Sequence, residues 1–90
     1  LPDQMIMAMV LDRARRNVIY LAGRDGVHCS DDGGVTWKTR NNGLATTNIR
    51  SIAQSGTDPN LFYAGTNGSG LYRSMNAGET WEPMPTVSEG

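Results

Sequence analysis

"SDDGGVTW", Ser30 to Trp37, is the most informative stretch of this chain, because nearly the same stretch occurs again as "SMNAGETW", Ser74 to Trp81. The identical pairs are Ser30 and Ser74, Gly34 and Gly78, Thr36 and Thr80, and Trp37 and Trp81. A motif that occurs twice within 90 residues indicates that the chain consists of two copies of one structural unit.

The repeat extends beyond these two stretches. Upstream of them Gly26 aligns with Gly70, and a one-residue shift then aligns Ile6 with Ile49, Asn17 with Asn60 and Tyr20 with Tyr63. The period lies in the range of about 40–50 residues that is typical of propeller repeats. We therefore predict two units, residues 1–45 and residues 46–90.

Each unit contains four short extended runs with turn residues between them. The predicted strands are Ile6–Leu11, Val18–Gly23, Gly26–Ser30 and Thr36–Arg40, then Ile49–Gln54, Leu61–Thr66, Gly70–Ser74 and Thr80–Met84. Between them, "GRDG", "NNG", "GTDPN" and "TNGSG" are rich in residues that tolerate positive φ or close Asx-turns. The sequence therefore predicts an all-β fold with two four-stranded antiparallel sheets.

Residues 5–16 are the one place where a helix competes with this prediction. Met, Ala, Leu and Arg are good helix formers, and the stretch is rich in them. The equivalent stretch of the second unit begins with the β-branched Ile49 and contains Gly56. Because equivalent units should fold alike, we predict a strand in both.

The repeated stretch predicts a tight turn between the third and fourth strands. Asp32 can bind backbone N–H groups of its own turn, and Gly34 supplies a position that a Cβ would obstruct. Ser30 and Thr36 flank the turn and are expected to hydrogen-bond across the hairpin. The ring of Trp37 is expected to fold back over the turn and fix it to the sheet.

The pattern S-x-D-x-G-x-T-W resembles the Asp-box, or bacterial neuraminidase repeat, of β-propeller blades. The first copy matches at every specified position, and the second departs once, with the uncharged Asn76 in place of the aspartate. The resemblance implies two blades, residues 1–45 and 46–90, whose structural Asp-box residues are Ser30, Asp32, Gly34, Thr36, Trp37, Ser74, Asn76, Gly78, Thr80 and Trp81. Asp-box propellers include sialidases, xyloglucan-active glycosidases, sortilin-like receptors and photosystem II assembly factors. They are often exported, although nothing in the sequence specifies a compartment.

Two blades are too few for a closed propeller, which has about 4–8. Their outer flanks would stay exposed, so further blades must come from other copies or from a longer chain. Head-to-tail contacts that close generate rings, and we expect a homo-oligomer, a trimer or tetramer with six or eight blades. The expected function is a non-catalytic self-assembling scaffold or binding module. The alternative is a fragment of an Asp-box glycoside hydrolase or sialidase.

Composition argues against several other functions. The net charge of -1 is not that of a nucleic-acid binder. A single cysteine excludes an internal disulfide and a multi-cysteine metal site. No apolar run reaches the length of about 18 residues needed to cross a membrane. We predict no metal, no cofactor, no nucleic acid and no membrane partner.

Few side chains suggest catalysis. His28 and Cys29 are strand neighbours that point to opposite faces, and Arg13, Arg15 and Arg16 are predicted to lie in a solvated loop. A sialidase "FRIP" segment is absent from the sequence. Glycosidases need two carboxylates beside the scissile bond, whereas the acidic candidates are scattered over turns and ends: Asp25, Asp58, Glu79, Glu82 and Glu89.

If a ligand binds, the expected place is the face opposite the Asp-boxes. The turns there contain Arg24, Asp25, Asn67 and Ser69, with Asn41, Asn42, Thr46 and Thr47 nearby. These side chains could bind a glycan, another polar ligand or a protein. They are also the ordinary composition of surface turns, so the sequence leaves both interpretations open.

Overall fold

The computed structural model describes residues 6–84, and within them every regular element is a β-strand. The strands are β1 (Ile6–Leu11), β2 (Ile19–Gly23), β3 (Gly26–Ser30), β4 (Lys38–Thr39), β5 (Ile49–Gln54), β6 (Phe62–Thr66), β7 (Leu71–Ser74) and β8 (Glu82–Pro83). They form two four-stranded antiparallel sheets, in which each strand pairs with the next along the chain. The all-β prediction is confirmed. Residues 6–11 form a strand rather than part of a helix.

The two sheets repeat each other in register as well as in order. In sheet 1 (β1–β4) the pairing of β1 with β2 shifts between Ile6 and Ala8. In sheet 2 (β5–β8) the pairing of β5 with β6 shifts at the equivalent place, between Ile49 and Ser51. A β-bulge kept at equivalent positions means that the sequence repeat is also a structural repeat.

The fourth strands are shorter than the sequence predicts. They span Lys38–Thr39 and Glu82–Pro83 rather than Thr36–Arg40 and Thr80–Met84. The reason lies in the turns: the backbone N–H of Thr36 donates to the Asp32 carboxylate and is therefore taken from the sheet. Strands β2, β6 and β7 each begin one residue later than predicted.

The hydrophobic core lies between the two sheets. Its buried members are Tyr20, Ala22, Val27 and Cys29 from sheet 1, and Ile49, Ile52, Phe62, Ala64, Tyr72 and Trp81 from sheet 2 or its approaches. The rings of Tyr20 and Phe62 lie with centroids 4.5 Å apart, and the Tyr20 hydroxyl donates to the Ala77 carbonyl at 2.8 Å. One face of each sheet is therefore buried against the other sheet, as a layered fold requires.

The opposite faces of the two sheets keep apolar side chains in solvent. Met9 and Leu11 are exposed on sheet 1, and Tyr63 and Leu71 are exposed on sheet 2. None of the elements in residues 6–84 is a helix long and apolar enough to cross a membrane. Part of the exposed apolar surface of residues 6–84 thus lies on sheet faces, where another sheet could pack, while Val35 and Met75 are exposed in the repeated turns.

Candidate functional site

The Asp32 carboxylate holds the first repeated turn closed. Its Oδ1 accepts hydrogen bonds from the backbone N–H of Val35 at 3.1 Å and of Thr36 at 2.9 Å, and its Oδ2 accepts from the Thr36 hydroxyl at 2.5 Å. The Ser30 hydroxyl donates to Oδ1 at 2.7 Å and accepts from the Gly34 N–H at 2.8 Å. The sequence-based expectation that Ser30 and Thr36 bond to each other is wrong, because both hydroxyls bind the carboxylate between them.

The second turn keeps this arrangement with an amide in place of the carboxylate. Asn76 Oδ1 accepts from the Ser74 hydroxyl at 2.8 Å and from the Thr80 N–H at 3.0 Å. Its Nδ2 donates to the Thr80 hydroxyl at 2.8 Å, so the hydroxyl that donates in the first turn accepts in the second. Asn therefore closes the turn without a charge by reversing one hydrogen bond.

The glycine of each turn is required for its backbone conformation. Gly34 has a φ of 100° and Gly78 a φ of 88°, in the region that residues with a Cβ rarely adopt. A Cβ added at Gly34 would lie 3.6 Å from the Trp37 ring, which is ordinary contact. The expectation that a side chain would be obstructed there is therefore wrong, and positive φ is the constraint.

Hydrogen bonds to its charged form hold the pKa of Asp32 well below the usual range for a carboxyl group. The largest contribution comes from the Thr36 hydroxyl, followed by the Thr36 N–H, the Ser30 hydroxyl and the Val35 N–H. Desolvation raises the pKa, but the hydrogen bonds from Thr36 and Ser30 outweigh it at this exposed carboxylate. Folding therefore favours the ionised carboxylate.

We expect Asp32→Asn to remove part of the acid sensitivity of the fold. A carboxyl whose pKa is lowered by folding stabilises the protein above its unfolded pKa of about 3.9, and this stabilisation is lost as pH falls towards the folded pKa. Urea unfolding should show a steeper loss of stability for the wild type than for Asp32→Asn between about pH 4 and pH 2. Asn76→Asp is the reverse control and should make the loss steeper. Equal slopes for all three proteins would contradict this role.

The two tryptophans, although equivalent in sequence, differ in their surroundings. Trp37 is partly exposed, and its Nε1–H donates to the Gly34 carbonyl of its own turn at 3.1 Å. Trp81 is buried, and its Nε1–H donates at 2.8 Å to the carbonyl of Arg40, which follows sheet 1. The backbone N–H of Trp81 also donates to the Asn42 carbonyl at 2.8 Å. Trp81 therefore fixes its turn to the chain segment that links the two sheets, residues 40–48. The sequence did not predict this contact.

The loop between β1 and β2 also binds the second sheet. Arg15 Nη1 lies 2.8 Å from Asp12 Oδ2 and donates to the Pro59 carbonyl at 3.2 Å, while Nη2 donates to Asn60. Arg13 donates to the Ser55 carbonyl. The loop is exposed to solvent, as predicted, but these two arginines also bind acceptors on the neighbouring unit, which the sequence did not predict.

The buried Asp12 carboxylate accepts hydrogen bonds from both sides of this contact. Burial raises the pKa of its carboxyl, but hydrogen bonds from the Ala14 N–H, Arg15 and Gln54 outweigh burial and lower the pKa below its usual value. Gln54 Nε2 reaches Asp12 Oδ1 at 3.1 Å from the second sheet. The carboxylate therefore joins the two units as an acceptor and is not free for chemistry.

A hollow of about 260 Å³ lies where the turns between the second and third strands of each sheet meet the first strands, β1 and β5. The residues that line it are Met7, Arg24, Asn48, Arg50 and Asn67. Two of the predicted ligand-binding residues, Arg24 and Asn67, are thus brought together, whereas Asp25 and Ser69 are not among the lining residues. The hollow presents guanidinium and amide donors that could bind a polar ligand.

Sequence reasoning missed Arg50 and Asn48 at this hollow. The repeat could have indicated them, because the lining contains two pairs of aligned residues: Arg24 with Asn67, and Met7 with Arg50. The hollow therefore lies across two adjacent units at equivalent positions. Asn42, expected near this face, instead donates through Nδ2 to the Glu79 carbonyl in the second repeated turn at 3.4 Å.

A second hollow, of about 280 Å³, lies beside the second repeated turn. Its lining residues are Arg73, Met75, Asn76, Thr80, Trp81 and Glu82. Arg73 and Glu82 are ion-paired at 2.8 Å, and Asn76 is engaged within its turn. Its polar groups are therefore largely paired with one another, which makes this hollow a weaker candidate for ligand binding.

Other chemically distinctive side chains are dispersed. Burial lowers the pKa of His28, and its buried Nε2 has no hydrogen-bond partner among the described residues. Cys29 belongs to the core on the other side of β3. Within residues 6–84 no group of three or more His, Cys, Asp or Glu side chains could hold a metal ion, and Glu89 lies outside this range.

Two four-stranded antiparallel sheets that share a core face to face fit two adjacent propeller blades. No protein-family model matches the chain, and no curated protein matches its sequence. Among solved structures it is similar to an ancestral GH74 enzyme, with a TM-score of 0.79 and 25% identity over 89% of this chain and 10% of that one. It is also similar to the GH74 xyloglucanase from Xanthomonas campestris, with a TM-score of 0.63 and 23% identity over 83% of this chain and 14% of that one. The two sheets match propeller-blade portions of these enzymes, and the chain spans only a small part of their length.

Proposed function

We propose that the chain supplies two Asp-box blades to a β-propeller and acts as a non-catalytic, self-assembling scaffold or binding module. The observation that carries the proposal is the pair of exposed outer sheet faces, since their repeat equivalents are buried between the sheets. Propellers close with about 4–8 blades, and three or four copies with two blades each would give a ring of six or eight. The partner in this proposal is the chain itself.

The turn chemistry supports the Asp-box part of the proposal. In both repeated turns the side chain at the aspartate position, Asp32 or Asn76, accepts from the preceding serine and from the threonine N–H. A tryptophan follows each turn with its ring close to the turn glycine. These groups are committed to shaping the corner of each blade, and we assign them a structural role.

The competing function is that of a piece of a glycoside hydrolase, and the likeness to GH74 enzymes favours it. Such enzymes are many times longer than this chain, so their activity would need residues from outside the two blades. Glycosidases use two carboxylates on either side of the scissile bond. Here Asp32 closes a turn, Asp12 pairs with Arg15 and Glu82 pairs with Arg73, and these commitments support the non-catalytic proposal.

As a binding module, the assembly would present the hollow formed by Arg24, Asn67 and their neighbours. Neither Arg24 nor Arg50 forms an ion pair within residues 6–84, so both guanidinium groups are available as donors. Asp25 and Ser69 lie on the same turns and remain proposed contributors at the rim. Sugar hydroxyls are suitable acceptors for such donors, and we propose a glycan or another polar ligand.

The measurement that tests this function is the molar mass of the purified chain by light scattering. We expect three or four times the mass of one chain, with a β-sheet circular dichroism spectrum. A folded monomer in dilute buffer would contradict self-assembly, and an aggregated or unstable preparation would support the fragment alternative. Hydrolysis of xyloglucan or of a fluorogenic sialoside would overturn the non-catalytic part. The same sample on a glycan array, with Arg24→Ala as control, tests binding.

A further inference from the structure

We propose that the two exposed faces are the two halves of one interface, which joins copies of the chain in the register already used inside it. The head face is the outer side of sheet 1, with Met9, Leu11 and Ile19. The tail face is the outer side of sheet 2, with Tyr63 and Leu71. The inference rests on the proposed self-assembly and specifies its partner: the tail face of one copy binds the head face of the next.

Burial at equivalent positions is the first argument. Met9 is 60% exposed on the head face, whereas its equivalent in sheet 2, Ile52, is 7% exposed against sheet 1. Leu71 is 55% exposed on the tail face, whereas its equivalent in sheet 1, Val27, is fully buried against sheet 2. The same backbone positions therefore lose their exposure wherever a second sheet covers them.

The strand register shows that these equivalents lie on matching faces. Met9 pairs with Leu21 in the ladder, as Ile52 pairs with Ala64. Val27 pairs with Ala22, as Leu71 pairs with Gly65. Inside the chain, a face of the tail type on sheet 1 meets a face of the head type on sheet 2. The structure thus already contains one example of the proposed contact.

Hydrogen-bonding groups give the second argument. The Tyr20 hydroxyl donates across the internal interface to the Ala77 carbonyl at 2.8 Å. The equivalent pair is the Tyr63 hydroxyl and the Gly33 carbonyl, and within residues 6–84 the Tyr63 hydroxyl makes no hydrogen bond. In the proposed contact Tyr63 donates to Gly33 of the next copy, as Tyr20 donates within the chain.

Trp37 provides a matching group on the head side. Its equivalent, Trp81, donates across the internal interface to the Arg40 carbonyl, whereas Trp37 donates to Gly34 in its own turn. The equivalent of Arg40 is Met84. On assembly the Trp37 indole would exchange the Gly34 carbonyl for the carbonyl of Met84 in the neighbouring copy.

The contact between copies should be weaker than the contact inside the chain. The arginine contacts at the edge of the internal interface are not repeated, because Arg13 and Arg15 align with Gly56 and Asp58. The tail face also carries the Arg73–Glu82 pair where sheet 1 has Cys29 and Lys38. Association therefore depends on the apolar centre of each face, where a buried unpaired charge is costly.

The interface is heterologous, so it can be blocked from either side independently. Met9→Glu blocks the head face and Leu71→Glu blocks the tail face, and both positions are exposed within one chain, so each variant should fold. We expect each variant alone to be monomeric, with a dissociation constant raised at least about 100-fold by the buried charge. Mixed in equal amounts, they should form a heterodimer of twice the mass and nothing larger, because one intact head meets one intact tail.

A matched control is available in the first turn. Val35→Glu places at a 78% exposed position the residue that the second unit carries at the equivalent Glu79. Glu79 stays exposed although sheet 1 lies against sheet 2, so this variant should keep the wild-type mass. If either face variant loses its β-sheet spectrum, Leu11→Lys replaces the head variant and Tyr63→Lys the tail variant.

The outcomes separate this inference from the proposed function. A wild-type oligomer whose Met9→Glu or Leu71→Glu variant still dimerises alone would show like faces pairing, which overturns the inference and leaves self-assembly in place. Monomeric variants that fail to associate when mixed would also overturn it. A monomeric wild type would remove the proposed function and the inference together. A heterodimer with a shifted Trp37 indole N–H resonance supports both.

Discussion

Trp81→Ala is expected to lower the free energy of unfolding by about 3–5 kcal/mol, the usual cost of truncating a large buried ring. The side chain is 5% exposed and contributes to the core between the sheets. Its loss also leaves the Arg40 carbonyl without the indole N–H donor. A change of this size is a large fraction of the total stability of a small domain, so much of the variant should be unfolded at elevated temperature.

Trp37→Ala is the matched control, because the two residues occupy the same position of the repeat. Trp37 is partly exposed and its indole bonds only within its own turn, so the expected loss is about 1–2 kcal/mol. Urea unfolding followed by circular dichroism measures both. The Met9→Glu background, in which we expect monomers, removes the concentration dependence that assembly would add. Equal losses would contradict the view that Trp81 gains its stabilising effect from the neighbouring sheet.

The strands could be predicted closely because they depend on local patterns. Turn residues separate short apolar runs, and the two copies constrain each other: the helix-prone stretch around Met9 is a strand, as its counterpart around Ile52 suggested. The fourth strands were predicted too long because the turn takes the N–H of Thr36 for the Asp32 carboxylate. A backbone carbonyl of the sheet and the Asp32 carboxylate compete there for the Thr36 N–H. Strand propensity alone does not predict which of the two accepts the hydrogen bond.

The contacts between the two units could not be predicted from the sequence. The sequence predicts a solvated loop around Arg15. Only the packing of the two sheets brings the Pro59 carbonyl and Asn60 within hydrogen-bonding distance of its guanidinium group. Arg50 was missed at the hollow for the same reason, because its neighbour there, Arg24, lies on the other unit. Periodicity identifies which residues face outward, but the partner of an outward-facing side chain depends on how the blades are placed.

Gly43→Ala is the other change for which we expect a large loss of stability. Gly43 lies in the segment between the sheets with a φ of 95°, a conformation that a Cβ strains. An added Cβ would also fall inside the contact distance of the Trp81 carbonyl oxygen, and 3.0 Å from the Trp81 carbonyl carbon. These are backbone atoms, which cannot move aside without breaking the hydrogen bond from the Trp81 N–H to the Asn42 carbonyl.

Gly68→Ala separates strain from collision. Gly68 has a φ of 96°, but a Cβ added there meets nothing within 4 Å. Both variants should bear the conformational cost of about 1–2 kcal/mol, and Gly43→Ala should lose at least about 2 kcal/mol more. Urea unfolding in the monomeric background measures the difference. Because the displaced segment carries the Arg40 carbonyl, the Trp81 indole N–H resonance should shift in Gly43→Ala alone. Equal losses with an unshifted resonance would mean that the segment is not fixed against Trp81, and the internal interface could then no longer serve as the template for contact between copies.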